Sequence, residues 1–182
     1  MAARLGSPRP LHYGKVPRST TTVELVVATA EHFDWALAND ASVRFEGLLR
    51  LPPGGLESPA ILAWLRRTAS SVEAATGQPS AWLIIDGDEV VGLISFKAPP
   101  RDGAVEIGYG VAASRRARGY ATRAVGWLVA EARARGLDVF AETSVDNRAS
   151  QVALERNGFE RSGARSDLED GTVLIWRKGH RS

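Results

Sequence analysis

Residues 105–121 read VEIGYGVAASRRARGYA, and the rest of the chain is best understood outward from them. The first seven residues are mostly β-branched, aromatic or glycine, which is typical of a strand. Small and basic residues follow and predict a tight turn. Apolar side chains then recur at the spacing of one helical face, at Ala121, Ala124, Val125, Leu128 and Ala132. The pattern therefore predicts a strand that passes through a basic turn into a helix.

The basic turn has the chemistry of an anion site. The first turn of a helix leaves backbone N–H groups without partners, and the helix dipole is positive there. Gly119 and Ala121 have no bulk that would keep a pyrophosphate from these groups. Three arginines could hold further phosphates, namely Arg115, Arg116 and Arg118. The glycine spacings of Walker loops and dinucleotide sites are absent. From these residues alone, a tight turn with solvated arginines is an equal alternative.

The chain before this stretch predicts antiparallel strands and two helices. Thr29 and Ser58 are typical helix caps, and Pro59 suits the first position of a helix. Asp86-Gly87 between two apolar runs indicates a hairpin. The predicted elements are a strand at 23–28, a helix at about 30–38, a Gly- and Pro-rich loop at 47–58, a helix from 58 to about 75, and hairpin strands at 81–85 and 90–97.

The chain after the basic turn predicts a crossover connection. Gly136 is placed to end the helix in a left-handed conformation. The strand–helix–strand order implies parallel pairing between the strands at 104–111 and 137–144. An antiparallel first half and a crossover second half give an α+β domain on a mixed sheet. The remaining predicted elements are a short helix capped by Asp146 or Asn147 and ending at 157–158, a strand from Phe159, and a strand at 172–177.

Composition narrows the classes of function. The chain has 182 residues, 44% of them hydrophobic and 24% charged, which predicts one globular domain. It has no cysteine and three histidines, so disulfides and thiol nucleophiles are excluded and a multi-His metal site is not expected. No apolar run approaches the roughly 18 residues of a membrane span, and no secretory leader is recognisable. We therefore expect no membrane partner and a cytoplasmic location.

The first 20 residues predict a disordered basic tail, and residues 21–182 predict the folded domain. Four basic and no acidic residues occur in the tail, at Arg4, Arg9, Lys15 and Arg18. The remaining chain is close to neutral, which argues against a nucleic-acid partner. A tail that touches RNA or a protein partner is the alternative.

Two segments at matching spacing resemble the GNAT superfamily of N-acetyltransferases. Residues 116–121, RARGYA, are similar to the acetyl-CoA signature of that family, Q/R-x-x-G-x-G/A. Residues 145–159, VDNRASQVALERNGF, resemble the region after its fifth strand. The pair formed by residues 106–109, EIGY, and Asn147-x-x-Ser150 is similar to the RimJ/RimL-like branch.

The resemblance covers about residues 23–178 and implies a fold and a co-substrate. The fold is α+β, with a mixed, mostly antiparallel sheet of about six to seven strands, about four flanking helices, and a splay between the central strands. The co-substrate is acetyl-CoA, with its pyrophosphate on the signature segment, and no metal is implied. The acetyl-CoA-binding residues implied by the resemblance are Val111, Arg116, Ala117, Arg118, Gly119, Tyr120, Ala121 and Asn147.

The resemblance also implies a mechanism in which the amine attacks the thioester directly, without an acyl-enzyme. Ser150 matches the general acid of the branch, and the N–H group of Val111 is the expected oxyanion donor. Glu106 borders the crevice and is the predicted base, with an ordinary solvent-facing carboxylate as an equal alternative. The resemblance to this branch also leaves open a water molecule in place of a dedicated base. Strand alternation puts Glu106 on the same face as Gly108 and Gly110.

The predicted function is transfer of an acetyl group from acetyl-CoA to a primary amine of a protein N-terminus or a small molecule. The acceptor is expected between residues 46–58 and 162–171, where acidic side chains would attract a cationic amine. These are Glu46, Glu57, Asp167, Glu169 and Asp170, and for any single one of them a solvated loop residue is the preferred alternative. The alternative is a non-catalytic module that binds acyl-CoA or docks on a ribosome or RNA. From the residues alone, without the resemblance, Asn147 is a plain helix cap and Ser150 a solvated serine. Dimers are common in this family, so a homodimer is left open.

Overall fold

The computed structural model describes residues 23–167 and 171–178, and these form one mixed sheet with α-helices on both faces. The strands are β1 (Val23–Val27), β2 (Ala81–Asp86), β3 (Glu89–Phe96), β4 (Ala104–Val111), β5 (Asp138–Ser144), β6 (Phe159–Asp167) and β7 (Gly171–Lys178). The helices are α1 (Ala30–Ala38), α2 (Pro59–Thr76), α3 (Tyr120–Ala134) and α4 (Arg148–Arg156), with a 3-10 turn at Ala113–Arg115. The predicted tail at residues 1–20 lies outside the described residues.

The sheet has seven strands in the order β1-β2-β3-β4-β5-β7-β6. All neighbouring strands are antiparallel except β4 and β5, which are parallel. The crossover through α3 makes this pairing possible, because parallel neighbours need a long connection. The predicted mixed, mostly antiparallel α+β fold is confirmed.

Two apolar layers cover the sheet, one on each face. Along β2 and β3, successive side chains alternate between them: Ile84 and Ile94 pack toward α3, whereas Leu83 and Leu93 pack toward α1 and α2. Every residue of β3 is buried as a consequence. None of the helices in the two described ranges is long and apolar enough to cross a membrane.

Local signals set the helix ends as predicted. The Ser58 hydroxyl accepts the Ile61 N–H at 3.4 Å, Pro59 opens α2, and Gly77 closes it with a φ of +66°. Gly136 follows α3 with a φ of +72°. Asn147, one of the two predicted caps, is the N-cap of α4.

The central feature of the sheet is a split between β4 and β5. The two strands pair over four residues, from Ala104↔Asp138 to Ile107↔Ala141. Beyond these pairs, β4 continues to Val111 and β5 continues to Ser144 without pairing to each other. The gap therefore opens at the carboxyl ends of the two central strands, as the resemblance implied.

Gly92 lets β3 approach β4 beside this gap. It pairs with Val111, and a Cβ atom at residue 92 would overlap the carbonyl oxygen of Gly110 and lie 3.2 Å from the Val111 Cα. The colliding atoms belong to the backbone, so they cannot turn away as a flexible side chain would.

We predict that Gly92→Ala lowers the free energy of unfolding by about 1–3 kcal/mol, because the strands must shift to admit the methyl group. Gly163→Ala in β6 is the matched control, since its Cβ would meet only Ile175 Cδ1 at 3.9 Å. Urea unfolding of both variants measures the difference. Equal midpoints for the two variants would contradict the close approach at Gly92.

Candidate active site

A cavity of about 660 Å³ lies beside the split. Its walls are the end of β4, the basic turn, the first turn of α3, one side of α4, and Glu57 just before α2. Nine of the predicted site residues line it: Val111, Arg116, Ala117, Arg118, Gly119, Tyr120, Ala121, Asn147 and Ser150. Within the described ranges, no group of three or more His, Asp or Glu side chains is placed to hold a metal ion.

Strand pairing decides where the Val111 amide points. The N–H of the next residue, Ala112, donates to the Val91 carbonyl of β3 at 2.9 Å. Because amide directions alternate along an antiparallel strand, the N–H of Val111 is turned away from β3 and toward the gap. It faces the cavity where β5 has already diverged.

The basic turn bends through two left-handed residues. Ala117 has a φ of +61° and Gly119 a φ of +76°, and Gly119 is the N-cap of α3 without a capping side chain. The first N–H groups of α3 are therefore left for another acceptor at the cavity wall. Ala121, predicted both on the apolar face of α3 and among the acetyl-CoA-binding residues, lines the cavity.

The three arginines of the turn have different partners. Arg115 is held by Glu89, whose side chain is only 4% exposed; its Nη2 lies 3.0 Å from Glu89 Oε2. Arg116 Nε donates to the Val111 carbonyl at 3.3 Å. The prediction that all three arginines could bind phosphates is therefore wrong for Arg115, because its guanidinium group is already paired with Glu89. Arg116 and Arg118 are the better candidates.

Tyr120 anchors the start of α3 to the sheet. It is 3% exposed, and its hydroxyl donates to the Asp86 carboxylate at the end of β2. Burial and the neighbouring Asp86 raise the pKa of Tyr120. Its hydroxyl therefore stays protonated and fixes the helix N-terminus against the sheet.

The first turn of α4 is held by hydrogen bonds from three side chains, those of Asn147, Gln151 and Tyr109. Asn147 Oδ1 accepts the Ser150 N–H at 3.1 Å, so Asn147 is a helix cap whatever else it does. Gln151 Nε2 donates to the carbonyl oxygens of Ser144 and Val145 at 3.1 and 2.9 Å. Sequence reasoning missed Gln151, although its place one residue after Ser150 in a helix-opening motif was a usable signal.

The third contact comes from Tyr109 in β4, whose hydroxyl donates to the Ser150 carbonyl at 3.0 Å. Burial raises the pKa of Tyr109 to about 12, against a smaller lowering of the pKa by the Ser150 side chain. Tyr109 thus joins β4 to α4 across the gap and sets the position of Ser150 relative to β4.

Glu106 lies on the face of β4 opposite to Tyr109 and does not line the cavity. Its Oε1 is 2.5 Å from Lys97 Nζ, and its side chain is 20% exposed. Gly108 and Gly110 share this face, where they meet Lys97 and Glu57. The structure therefore places the predicted base in an ion pair on the α2 side of the sheet.

The Asn147 cap predicts a stability effect separate from any role in binding. Asn147→Ala should lower the free energy of unfolding by about 1 kcal/mol, because the Ser150 N–H loses its acceptor. Asn147→Ser keeps a capping oxygen and should retain most of this stability. Chemical denaturation of both variants checks the difference, and equal losses would contradict the capping role.

Tyr109 predicts a pH dependence of stability. Unfolded tyrosine titrates near pH 10, so as the pH rises the unfolded chain loses this proton before the folded protein does. The contribution of Tyr109 to the free energy of unfolding is intact below about pH 10. It decreases by on the order of 2 kcal/mol as the pH rises to about 12. Tyr109→Phe should lack this loss. Urea unfolding of both proteins across this range measures it, and identical slopes would contradict the burial argument.

Three solved structures share the fold along nearly their whole length. RimL, a ribosomal L7/L12 alpha-N-protein acetyltransferase in complex with coenzyme A, is 22% identical, with a TM-score of 0.64 over 87% of this chain and 94% of that one. The microcin C7 self-immunity acetyltransferase MccE, in complex with acetyl-CoA and AMP, is 18% identical, with a TM-score of 0.63 over 86% and 91%. A chimera of the spermidine N-acetyltransferase SpeG from Vibrio cholerae and hSSAT is 12% identical, with a TM-score of 0.63 over 85% and 93%.

At these low sequence identities, the solved structures show the fold alone. Comparison of the sequence with family models is more specific about the family. No curated protein sequence matches the chain. The family model of the acetyltransferase (GNAT) domain matches residues 23–160, well over half of the chain. The match includes both predicted motifs and the two strands that form the split. The family membership inferred from the motifs is confirmed, and the chain belongs to the GNAT acetyltransferase family.

Proposed function

We propose that the protein transfers an acetyl group from acetyl-CoA to a primary amine by direct attack within a ternary complex. The observation that carries the proposal is the convergence on one cavity of the Val111 amide, the uncapped N-terminus of α3 and Ser150. RimL and MccE, which are similar in fold, bind coenzyme A and acetyl-CoA in their solved structures.

The residues around the basic turn fit the acidic end of acetyl-CoA. An uncapped helix N-terminus suits a pyrophosphate, because its N–H groups and its dipole both favour negative charge. Arg116 and Arg118 add positive charge at the same wall. The amides of the pantetheine arm would pair with the edge of β4 that faces the gap.

The edge of β4 and the first turn of α4 would supply the chemistry. The Val111 N–H would stabilise the negative charge that develops on the thioester oxygen during attack. The C–N bond forms, the C–S bond breaks, and the departing thiolate takes a proton from the Ser150 hydroxyl, which regains one from the acetylated nitrogen. Asn147 and Tyr109 hold the backbone of Ser150 from both sides, at 3.1 and 3.0 Å.

The acceptor would approach from the α2 side of the sheet, through the loop at 46–58 and the segment at 162–171, of which 168–170 lie outside the described residues. We propose a protein N-terminal amine or a small-molecule amine as the acceptor class. Its proton would leave to a carboxylate on this side, where the candidate from sequence is Glu106. RimL supports the first class by its printed activity, and the SpeG chimera supports the second.

Acetyl-CoA binding is the first test. At about 100 times its dissociation constant, acetyl-CoA should stabilise the wild type by about 2.7 kcal/mol and raise the unfolding midpoint by several degrees. Ala121→Glu should abolish the rise, because its carboxylate would repel the pyrophosphate while still suiting a helix N-terminus. Ala134→Glu, exposed at the far end of α3, is the matched control and should keep the rise. No rise in the wild type would contradict the proposal.

A further inference from the structure

Glu57 has a position that the proposed mechanism leaves without a role. It directly precedes Ser58, the cap of α2, and lines the cavity. Among the described residues around the cavity it is the one carboxylate, and the charged side chains that share the walls are arginines. A single negative group therefore lies in a cavity whose other charges are positive.

The backbone of β4 makes room for this side chain. A Cβ atom at Gly110 would lie 3.3 Å from Glu57 Oε1 and 3.9 Å from Glu57 Cγ. The carboxylate thus occupies the space that a side chain at residue 110 would fill, beside the residue that carries the proposed oxyanion donor. Its second oxygen accepts the Ser58 N–H at 3.3 Å, which orients the group from the α2 end.

Three other carboxylates on or beside this face are neutralised by cations. Glu106 lies 2.5 Å from Lys97, and Glu142 lies 2.6 Å from Arg165. Glu89 is buried between Arg50 and Arg115. For Glu57, the described part of the chain supplies no Lys, Arg or His nitrogen within 4.0 Å. Its charge is therefore available to a cationic ligand.

We propose that the Glu57 carboxylate binds the ammonium group of the acceptor and takes its first proton. This inference rests on the proposed acetyl transfer and replaces Glu106 as the base. Lys97 already holds Glu106, so an ammonium group would have to displace that ion pair. Glu57 offers an uncompensated carboxylate next to Val111, on the side of β4 from which the acceptor approaches.

The protons balance in this scheme. The acceptor arrives as an ammonium ion and gives one proton to Glu57, which passes it to water. The freed lone pair forms the C–N bond with the thioester carbonyl carbon, and the C–S bond breaks to release CoA as a thiolate. The nitrogen loses a second proton as the amide forms, and the thiolate gains one through Ser150. The net products are the amide, CoA thiol and one proton in solution.

Kinetics with Glu57→Gln test the role in catalysis. Radiolabelled acetyl-CoA is offered with peptides that begin with Ser or Ala, with spermidine and with an aminoglycoside, and the best wild-type acceptor is used. Glu57→Gln should lower kcat/KM at neutral pH by about 100-fold. The deficit should shrink as the pH rises, because more acceptor is already deprotonated. Glu73→Gln, exposed near the other end of α2, is the matched control and should stay near wild type.

A structural role for Glu57 would give a different pattern, namely an equal loss at every pH. That pattern, or a rate within a few-fold of wild type at neutral pH, would overturn the inference. The rise in unfolding midpoint with acetyl-CoA should be the same for Glu57→Gln and wild type, since Glu57 is not assigned to the co-substrate. Loss of that rise in both proteins would instead count against the proposed function.

A binding measurement decides the inference even where no acceptor is turned over. Carbon-13 NMR of protein labelled at the glutamate carboxyl carbons identifies the Glu57 resonance by its absence in Glu57→Gln. Addition of n-butylammonium chloride should shift this resonance, whereas sodium chloride at equal ionic strength should not. The Glu73 resonance, assigned in the same way, is the internal control. Equal responses of Glu57 and Glu73 to the amine would overturn the proposal.

Discussion

The site depends on one constraint, which is that β4 and β5 stop pairing after four residues. Strands that part leave backbone groups without ladder partners, and these groups need other hydrogen bonds or a ligand. On the β5 side, Gln151 binds the carbonyl oxygens of Ser144 and Val145 and so closes the end of the strand. On the β4 side, the Val111 amide stays turned toward the gap. The split is therefore stabilised on one side and left open on the other, where a ligand can pair.

The two loops that border the cavity are tied into one unit. The Glu89 carboxylate, which is 3% exposed, forms ion pairs with both Arg50 of the α1–α2 loop and Arg115 of the basic turn. Ser114 Oγ adds a hydrogen bond to the Pro53 carbonyl at 2.8 Å. Removing one partner of such a buried ion pair is strongly destabilising, because it leaves an uncompensated charge in the interior. The loop that carries Glu57 and the turn proposed to hold acetyl-CoA are thereby fixed relative to each other.

The charges around the cavity are arranged by face. The α3 and α4 side presents arginines and a helix N-terminus, which suit the phosphates of acetyl-CoA. The α2 side presents Glu57 beside the glycines of β4, which suits a cationic amine. Alternation along β4 separates the two sides: Tyr109 packs toward α4, whereas Gly108 and Gly110 face the α2 side. The two sides meet in one cavity at the end of β4, where the proposed acetyl donor and the proposed acceptor would come together.

Sequence alone was sufficient for the elements, the crossover and the basic turn, because caps, turns and hydrophobic periodicity act over a few residues. Thr29, Ser58 and Gly136 lie at the helix ends that they predicted. Tertiary structure decided which charged groups meet. Arg115 of the basic turn is neutralised by Glu89 of β3, and Glu57 is brought against Gly110 from a distant loop. Such pairings depend on how separate segments pack across the sheet, and no local spacing in the chain encodes them.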